Sequence, residues 1–553
     1  MAAIVSSNFR VVNSSNFKED VSNSAVYVGI GKGDVWSNST SDTTDAATAP
    51  NPGDHLDEIG KARSNLIGVK KVTSANVSHV VPRHTWDGQT SYIAWDSDDS
   101  DIFDKKFYAI TNEFKVYKCI KAGGGVSTQQ PTQTLTQPQA ESDGYTWKYM
   151  YTTSVADAEK FLTNSFMPVK YISMGTEAQV AANSASGATV LLLKEMNDDI
   201  ALGMTVTGTN MGSSAKVSAV SGSQITVSVA NGGIVAANTV LTFAYAADAD
   251  AESNLTEADY AQYLNQKASR DDSLAAGIER VEVTAGGSNY NNGTHEFAAG
   301  SSGTRFITIT GDGTGATATG TVVAGALSSI NIVNKGTNYT KATIVVTGQG
   351  GSLATGRPVI APNYRGVGKS GHGTDPRAEL GGFFMGLNVK LDGADGSGDI
   401  TVGNDFRQIM LLKNPLVGAG ATAGQIASSD TLKALDYLDF SSTFSSGSNV
   451  SSFTVDEVIT GQTSGAVAFV TEIDTSNGFV YYHQNEKTGY VSFVNGEEVV
   501  GGTSTTNGTL ESSNAVKDAE LNRETGEVLF LENRLPINRS ATQIEDIKII
   551  LEF

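Results

Sequence analysis

Disulfide stapling is closed to this chain, because Cys119 is the only cysteine among its 553 residues. Proline and tryptophan are missing from the middle: no proline lies between Pro168 and Pro358, and Trp36, Trp86, Trp95 and Trp147 all precede that gap. Long apolar runs are missing too. None approaches the ~18 residues of a membrane-spanning helix, and residues 1–10 lack the basic-then-apolar start of a secretory signal. Positive charge is scarce: 38 Lys and Arg against 59 Asp and Glu give a formal charge of −21. No basic cluster exceeds Lys70-Lys71 or Lys105-Lys106, so neither nucleic acid nor a membrane is an expected partner.

What is present points to sheets. Glycine is abundant at 59 copies, and charged residues make up only 18% of the chain, a balance that favours turn-rich β modules over helical bundles. The expected fold class is mainly β (α+β): a two-domain β-sandwich-like framework carrying three inserted small β modules. The framework comprises 1–173, 351–444 and 513–553. The inserts are 187–243, 278–350 and 445–512, with a helical connector at 254–277.

Within 1–173, strands are expected at 25–30, 77–81, 107–110, 115–120 and 145–151, separated by long polar loops at 34–60 and 121–143. Cys119 reads as a buried strand residue. In 187–243, short alternating strands at 204–208, 216–220 and 224–229 suggest a small barrel or sandwich. In the connector, Thr256 and Asp259 form a capping pair for a helix over about 256–268, with Tyr260, Tyr263 and Leu264 on one face.

Two inserts contain duplications. Gly286-Gly287-Ser288-Asn289-Tyr290 recurs as Lys335-Gly336-Thr337-Asn338-Tyr339, and Ile307-Thr308-Ile309-Thr310-Gly311 as Ile344-Val345-Val346-Thr347-Gly348. In 445–512, Phe453, Glu457, Ile459, Gly461, Thr463 and Ser464 recur 40 residues on as Phe493, Glu497, Val499, Gly501, Thr503 and Ser504. Asn477-Gly478 marks a hairpin, and 547–553 read as a terminal strand that docks.

Candidate chemical sites are weak. Gly29-Ile30-Gly31-Lys32-Gly33 follows an apolar strand but lacks the third glycine of a dinucleotide loop, so it reads as strand and turn. Gly368-Lys369-Ser370 lacks the upstream glycine of a phosphate loop. His372 and Asp375 supply two metal ligands, too few for a closed site. The acidic sets Asp392, Asp395, Asp399 and Asp96, Asp98, Asp99, Asp101, Asp104 match no calcium loop. No catalytic, cofactor or metal site is assigned, and no small-molecule substrate is expected.

The framework holds four distinctive segments. They are Pro82-Arg83 with Trp86; Gly144 and Trp147 in Asp143-Gly144-Tyr145-Thr146-Trp147; Phe406-Arg407-Gln408 followed by Asn414-Pro415; and Glu532-Asn533-Arg534 with Pro536, running on to the terminal strand. In this order they resemble the small dimeric baseplate wedge subunit of contractile-tailed, T-even-like bacteriophages. The resemblance covers about 60% of the chain, the framework without the inserts 187–243, 278–350 and 445–512. It implies a structural, non-enzymatic virion protein of the tail baseplate, assembled in the host cytoplasm. Its implied partners are a second copy of itself, other wedge subunits and peripheral tail proteins. Independently of the resemblance, the arginines can make forked hydrogen bonds and the prolines can fix chain direction. Two other readings stay open: a tail-fibre-like or carbohydrate-binding surface protein, and an enzyme of the cell envelope such as a depolymerase.

Overall fold

The strand Val26–Gly31 is buried at every position, which is why its sequence, VYVGIG, is continuously apolar rather than alternating. In the computed structural model the described residues are 4–37, 44–195, 197, 199–272, 277–362, 371–392, 400, 405–440, 450–540 and 543–553. The chain is mainly β, with antiparallel sheets and a minority of helix. It divides into two units, each assembled from separated segments: 1–19, 78–386 and 550–553 form one, and 20–77 and 387–549 the other.

In the second unit, Val26–Gly31 is the middle strand of a five-stranded sheet. The order is Thr431–Lys433, Leu66–Val72, Val26–Gly31, Asp405–Lys413, Glu527–Asn538. Its glycines are there for room. A Cβ at Gly29 would lie 2.7 Å from Leu66 Cδ2, and one at Gly31 would lie 2.6 Å from the Asn65 carbonyl oxygen. Gly29-Ile30-Gly31 is thus sheet interior rather than a ligand loop.

The duplicated part of this unit belongs to a seven-stranded sheet that also takes in Asp436–Asp439 and Val516–Lys517, outside 445–512. Val458–Gly461 and Glu498–Gly501 pair antiparallel, with Thr460 opposite its own repeat equivalent Val500. The repeats are therefore related by a local twofold. Across it they exchange glutamates. The Glu457 carboxylate accepts from Thr503 N–H (3.0 Å), Ser504 N–H (2.9 Å) and Ser504 Oγ (2.8 Å), while Glu497 accepts from Thr463 N–H (3.0 Å), Ser464 N–H (2.9 Å) and Ser464 Oγ (2.9 Å). Each glutamate also accepts from the N–H three residues before it, Thr454 or Val494, at 2.7 Å. The expected Asn477-Gly478 hairpin exists, but as a wider turn: Gly478 N–H donates to the Asp474 carbonyl at 2.9 Å, and the Asp474 carboxylate caps Ser476 and Asn477. The aspartate's own capping capacity selects this longer turn over a two-residue one.

In the first unit, Tyr108–Ile110, Lys115–Lys121, Thr146–Thr152 and Gln139–Ala140 form a four-stranded sheet. One of its cores is aromatic, built from Tyr92, Tyr117, Tyr145 and Trp147, and includes the fully buried Cys119. The first insert forms two three-stranded sheets over a shared core of Leu191, Val206, Ile225 and Phe243, and one of these sheets uses Thr176–Gln179 from upstream of 187.

The 278–350 duplication is built on a second local twofold. Val281 pairs with its equivalent Ile330, and Thr308 with its equivalent Val345. The sheet continues past 350 into Ser352–Ile360, which lies along Ile278–Ser288. Each repeat's tyrosine reaches into the other half. Tyr290 Oη accepts from Ala354 N–H at 3.2 Å, and Tyr339 Oη accepts from Ala316 N–H at 3.3 Å. Gly351 and Gly313 admit the two rings, since a Cβ at either would lie within 2.4 Å of a tyrosine ring carbon. Asn289 and Asn338 both take left-handed backbone, at φ 65° and 62°, a conformation asparagine tolerates better than most residues. Tyr290→Phe and Tyr339→Phe should each cost about 1 kcal/mol by leaving a part-buried N–H unpaired. Equal losses in urea unfolding would reflect the twofold; a loss at only one position would contradict it.

Three helices correct the reading of 1–173 as strands and loops: Ser7–Asn23, Leu56–Ser64 and Val155–Phe161. The first has no apolar stripe, because a core position is filled by Ser14, whose hydroxyl donates to the Val11 carbonyl at 2.8 Å. The connector helix runs Glu257–Asp272, and Thr256 caps it through Asp259 N–H at 3.2 Å. Its buried face is polar. Gln262 and Asn265 donate to the Met150 carbonyl at 3.2 and 2.9 Å, and Gln266 donates to the Ile172 carbonyl at 2.8 Å. Of the three residues expected on one face, Tyr260 and Tyr263 stack with ring centroids 6.3 Å apart, but Leu264 is exposed.

Candidate functional site

The framework residues that carry the resemblance occupy sheet ends and turns. In the first unit, the Pro82 carbonyl accepts from Tyr108 Oη at 2.7 Å. Arg83 donates to the Thr163 carbonyl (2.9 Å) and Thr85 Oγ1 (3.0 Å), so its fork holds a turn and no carboxylate. Trp86 Nε1 donates to Ser127 Oγ at 3.1 Å. Gly144 takes φ 88° in the turn that brings Trp147 into stacking on Tyr145, with ring centroids 5.7 Å apart.

In the second unit, nine of them converge on the paired strands Asp405–Lys413 and Glu527–Asn538 and the turns beside them. Phe406 is buried. Arg407 grips Asp45 bidentately, through Nε at 2.9 Å and Nη2 at 2.9 Å. Burial opposes the charge on Asp45, but Arg407 and the Trp36 N–H outweigh it and hold the carboxyl below its usual range. Asn414 adopts left-handed backbone (φ 51°), and its side chain accepts from Ala25 N–H at 2.9 Å. Pro415 directs the next turn, whose carbonyl accepts from Ala427 N–H at 2.9 Å. Glu532 and Arg534 pair along the strand at 2.7 Å. Pro536 falls in a bulge between the Gln408–Asn533 and Phe406–Ile537 pairs, where no ladder N–H is needed.

Gln408 and Asn533 belong to a chain of amides. Asn533 Nδ2 donates to the Pro50 carbonyl (3.0 Å), Gln408 Nε2 donates to Asn533 Oδ1 (2.9 Å), and Asn65 Nδ2 donates to Gln408 Oε1 (3.4 Å). Because a carbonyl can only accept, the chain's direction is fixed from Pro50 onward. It ends on Asn65 Oδ1, which is buried and has no hydrogen-bond partner. Asn485 is fixed in the opposite sense. Its Oδ1 accepts from Lys487 N–H at 2.9 Å, which leaves its buried Nδ2 as a donor without a partner.

Both asparagines line a cleft of about 670 Å³, together with Lys32, Trp36, Gln408 and Tyr490. Lys32 takes left-handed backbone (φ 61°) and donates to Asp34 at 2.8 Å. Burial lowers the Lys32 pKa, with Asp34 opposing the shift. Burial works the other way on Asp34, but His483 and Lys32 outweigh it and hold its carboxyl well below the usual range. Lys487 adds a second contact to Asp34 at 2.7 Å.

No protein-family model and no curated protein matches the chain. The site is therefore argued from its own residues. Leu56–Ser64 ends on Asn65 at its C-terminal cap, which places the residue on the cleft wall. Sequence reading singled out Gln408 and Asn533 but missed Asn65 and Asn485, which no motif marks.

Several of the other sequence candidates have structural tasks. Asp375 caps Pro376–Leu380 through Arg377 N–H (3.1 Å) and Ala378 N–H (3.3 Å), and His372 lies edge-on to Trp95, 3.5 Å from Glu279. Asp96 pairs with Arg357, and Asp99 pairs with Lys105 at 2.6 Å. Asp392 ends the strand Phe384–Asp392. Asp395, Asp399 and Gly368-Lys369-Ser370 lie outside the described residues. Among the described residues no group of three His, Cys, Asp or Glu side chains is placed to hold a metal ion, and no helix is long and apolar enough to cross a membrane.

Proposed function

We propose that this chain is a structural subunit of a contractile phage tail, a baseplate wedge component that works through protein–protein contacts as a homodimer beside other wedge subunits. The observation that carries this reading is the ordered series of framework segments ending in Glu532-Asn533-Arg534 and the terminal strand. Nine of its residues come together on one strand pair and its turns in the second unit, and several of them brace their neighbours: Arg407 holds the Asp45 carboxylate and the Gly33 carbonyl, Asn414 the Ala25 N–H and Asn533 the Pro50 carbonyl. Such bracing suits a rigid assembly part. A net charge of −21 keeps such a part dispersed until a specific neighbour docks.

An obligate dimer of this kind buries about 2,000 Å² or more. The purified chain should therefore elute with twice the monomer mass in size exclusion with light scattering, unchanged on tenfold dilution. It should also co-elute with the neighbouring wedge subunits. A monomer at every concentration that ignores those subunits would contradict the proposal.

A further inference from the structure

The helix Ser7–Asn23 carries apolar residues on a side that its own fold leaves uncovered. Its inner side is anchored by polar groups. Ser14 is fully buried there, and Ser15 Oγ meets His79 Nε2 at 3.3 Å. Arg10 lies over the Phe383 ring, 3.5 Å from its centroid, and pairs with Glu552. These contacts hold the helix in one rotation. On the outward side Phe9 is 54% exposed and Val12 45%, with Asn16 exposed one turn further on. Residues spaced in this way form a single row along a helix. Ile4 and Val5, just ahead of the cap that Ser6 gives the Phe9 N–H, are 90% and 63% exposed. An exposed apolar row with polar neighbours marks a contact surface.

Two features select what covers it. Residues 4–18 contain no Asp or Glu, and their charges are Arg10 and Lys18 alone, on a chain of net charge −21. Two copies of so acidic a chain therefore repel least when they approach through this segment. Asn16 is the second feature. An amide both donates and accepts, so a facing amide matches it, whereas an apolar groove would bury it unpaired. In a parallel, in-register helix pair each residue of the row faces its own counterpart. A single asparagine in such a row fixes the register and the number of strands.

We propose that two copies of the chain meet through this helix, parallel and in register about a twofold axis, with Phe9, Val12 and Asn16 each against its own counterpart. The inference rests on the homodimer reading above and adds the surface through which the dimer forms. Because the fold already holds the helix, pairing avoids the nucleation cost that a free helix of this length would meet.

The test uses the full chain. Cys119 is fully buried, so Asn16→Cys adds the one accessible thiol. Mild oxidation should then link two copies through that position, while the unsubstituted chain stays unlinked. Phe9→Asp and Val12→Asp should each raise the dimer dissociation constant about tenfold or more, since carboxylates would face each other in place of apolar side chains. The melting curve of the dissociated chain should not change, because both side chains face solvent within one copy. A dimer with an unchanged constant in both aspartate variants would overturn the helix contact and leave the homodimer reading standing. A dimer that these variants weaken but Asn16→Cys does not link would overturn the parallel register. An unsubstituted chain that stays monomeric at every concentration would remove both readings. Unchanged dimerisation with loss of a neighbouring wedge subunit in Phe9→Asp would give the row to that subunit instead.

Discussion

Replacing Glu457 with leucine is expected to destabilise the duplicated 445–512 module by about 3–5 kcal/mol, the scale for removing a buried group that satisfies several donors at once. The carboxylate serves Thr503 N–H, Ser504 N–H, Ser504 Oγ and Thr454 N–H. Leucine leaves all four without an acceptor inside a closed turn. Because Glu497 does the same for the other repeat, Glu497→Leu should cost a similar amount, and hydrogen exchange across 457–509 should rise in both halves in either variant. Losses below about 1 kcal/mol would show that water replaces the carboxylate cheaply. The same geometry predicts an acid-sensitive module. Burial by itself would raise the Glu497 pKa, but the Ser464 and Val494 N–H groups, with the Ser464 hydroxyl and Thr463 N–H, outweigh it and hold the carboxyl below its usual value. A carboxyl depressed in the folded state adds stability above its unfolded pKa and loses it as pH falls through the folded value. Exchange in the module should therefore rise below about pH 4.5, and Glu497→Gln should flatten that dependence.

The second large effect is expected at Lys118. It sits in the middle of Lys115–Lys121 with its side chain fully buried, and its Nζ lies 2.8 Å from a Glu379 oxygen and 4.4 Å over the Trp95 ring. Burial lowers its pKa, and Glu379 pulls the other way. Directly across the sheet it faces Lys148, also buried. Two lysines in register would repel without the glutamate, whose carboxylate also accepts from Gly373 N–H at 2.8 Å and Asp375 N–H at 3.3 Å. Lys118→Met strands that carboxylate in the interior, at about 3–5 kcal/mol. The double variant Lys118→Met with Glu379→Gln removes both charges and should recover more than half of the loss. Urea unfolding of the four proteins gives the coupling directly. Additive losses would contradict the account of a single buried pair.

How much of this was legible beforehand depends on what each feature is made of. Strands announced themselves where the backbone pattern was apolar on two faces, as at Val26–Gly31, or alternating, as at the terminal strand Ile544–Glu552. The duplications were visible residue by residue, and the Glu457/Glu497 and Tyr290/Tyr339 equivalences proved to be the contacts that link the repeats. The helix Ser7–Asn23 and the inner face of Glu257–Asp272 stayed hidden because serine, glutamine and asparagine occupy core positions there. Those residues are buried through hydrogen bonds rather than through apolar area, so hydrophobic spacing does not report them. Lys118 and Lys148 were hidden for the same reason: a lysine in a strand reads as an outward residue until its partner, 261 positions away, is known. The cleft drew on both sorts of signal. Gln408 and Asn533 stand in recognisable framework segments, whereas Asn65 and Asn485 join the cleft wall only through the fold.

The most direct test of the baseplate reading is the particle itself. Mass spectrometry of purified phage tails, with a cryo-EM reconstruction of the tail tip, should find this chain in a fixed copy number and place paired copies in each of six equivalent wedges. Intact, purified particles that lack the chain would contradict the reading outright.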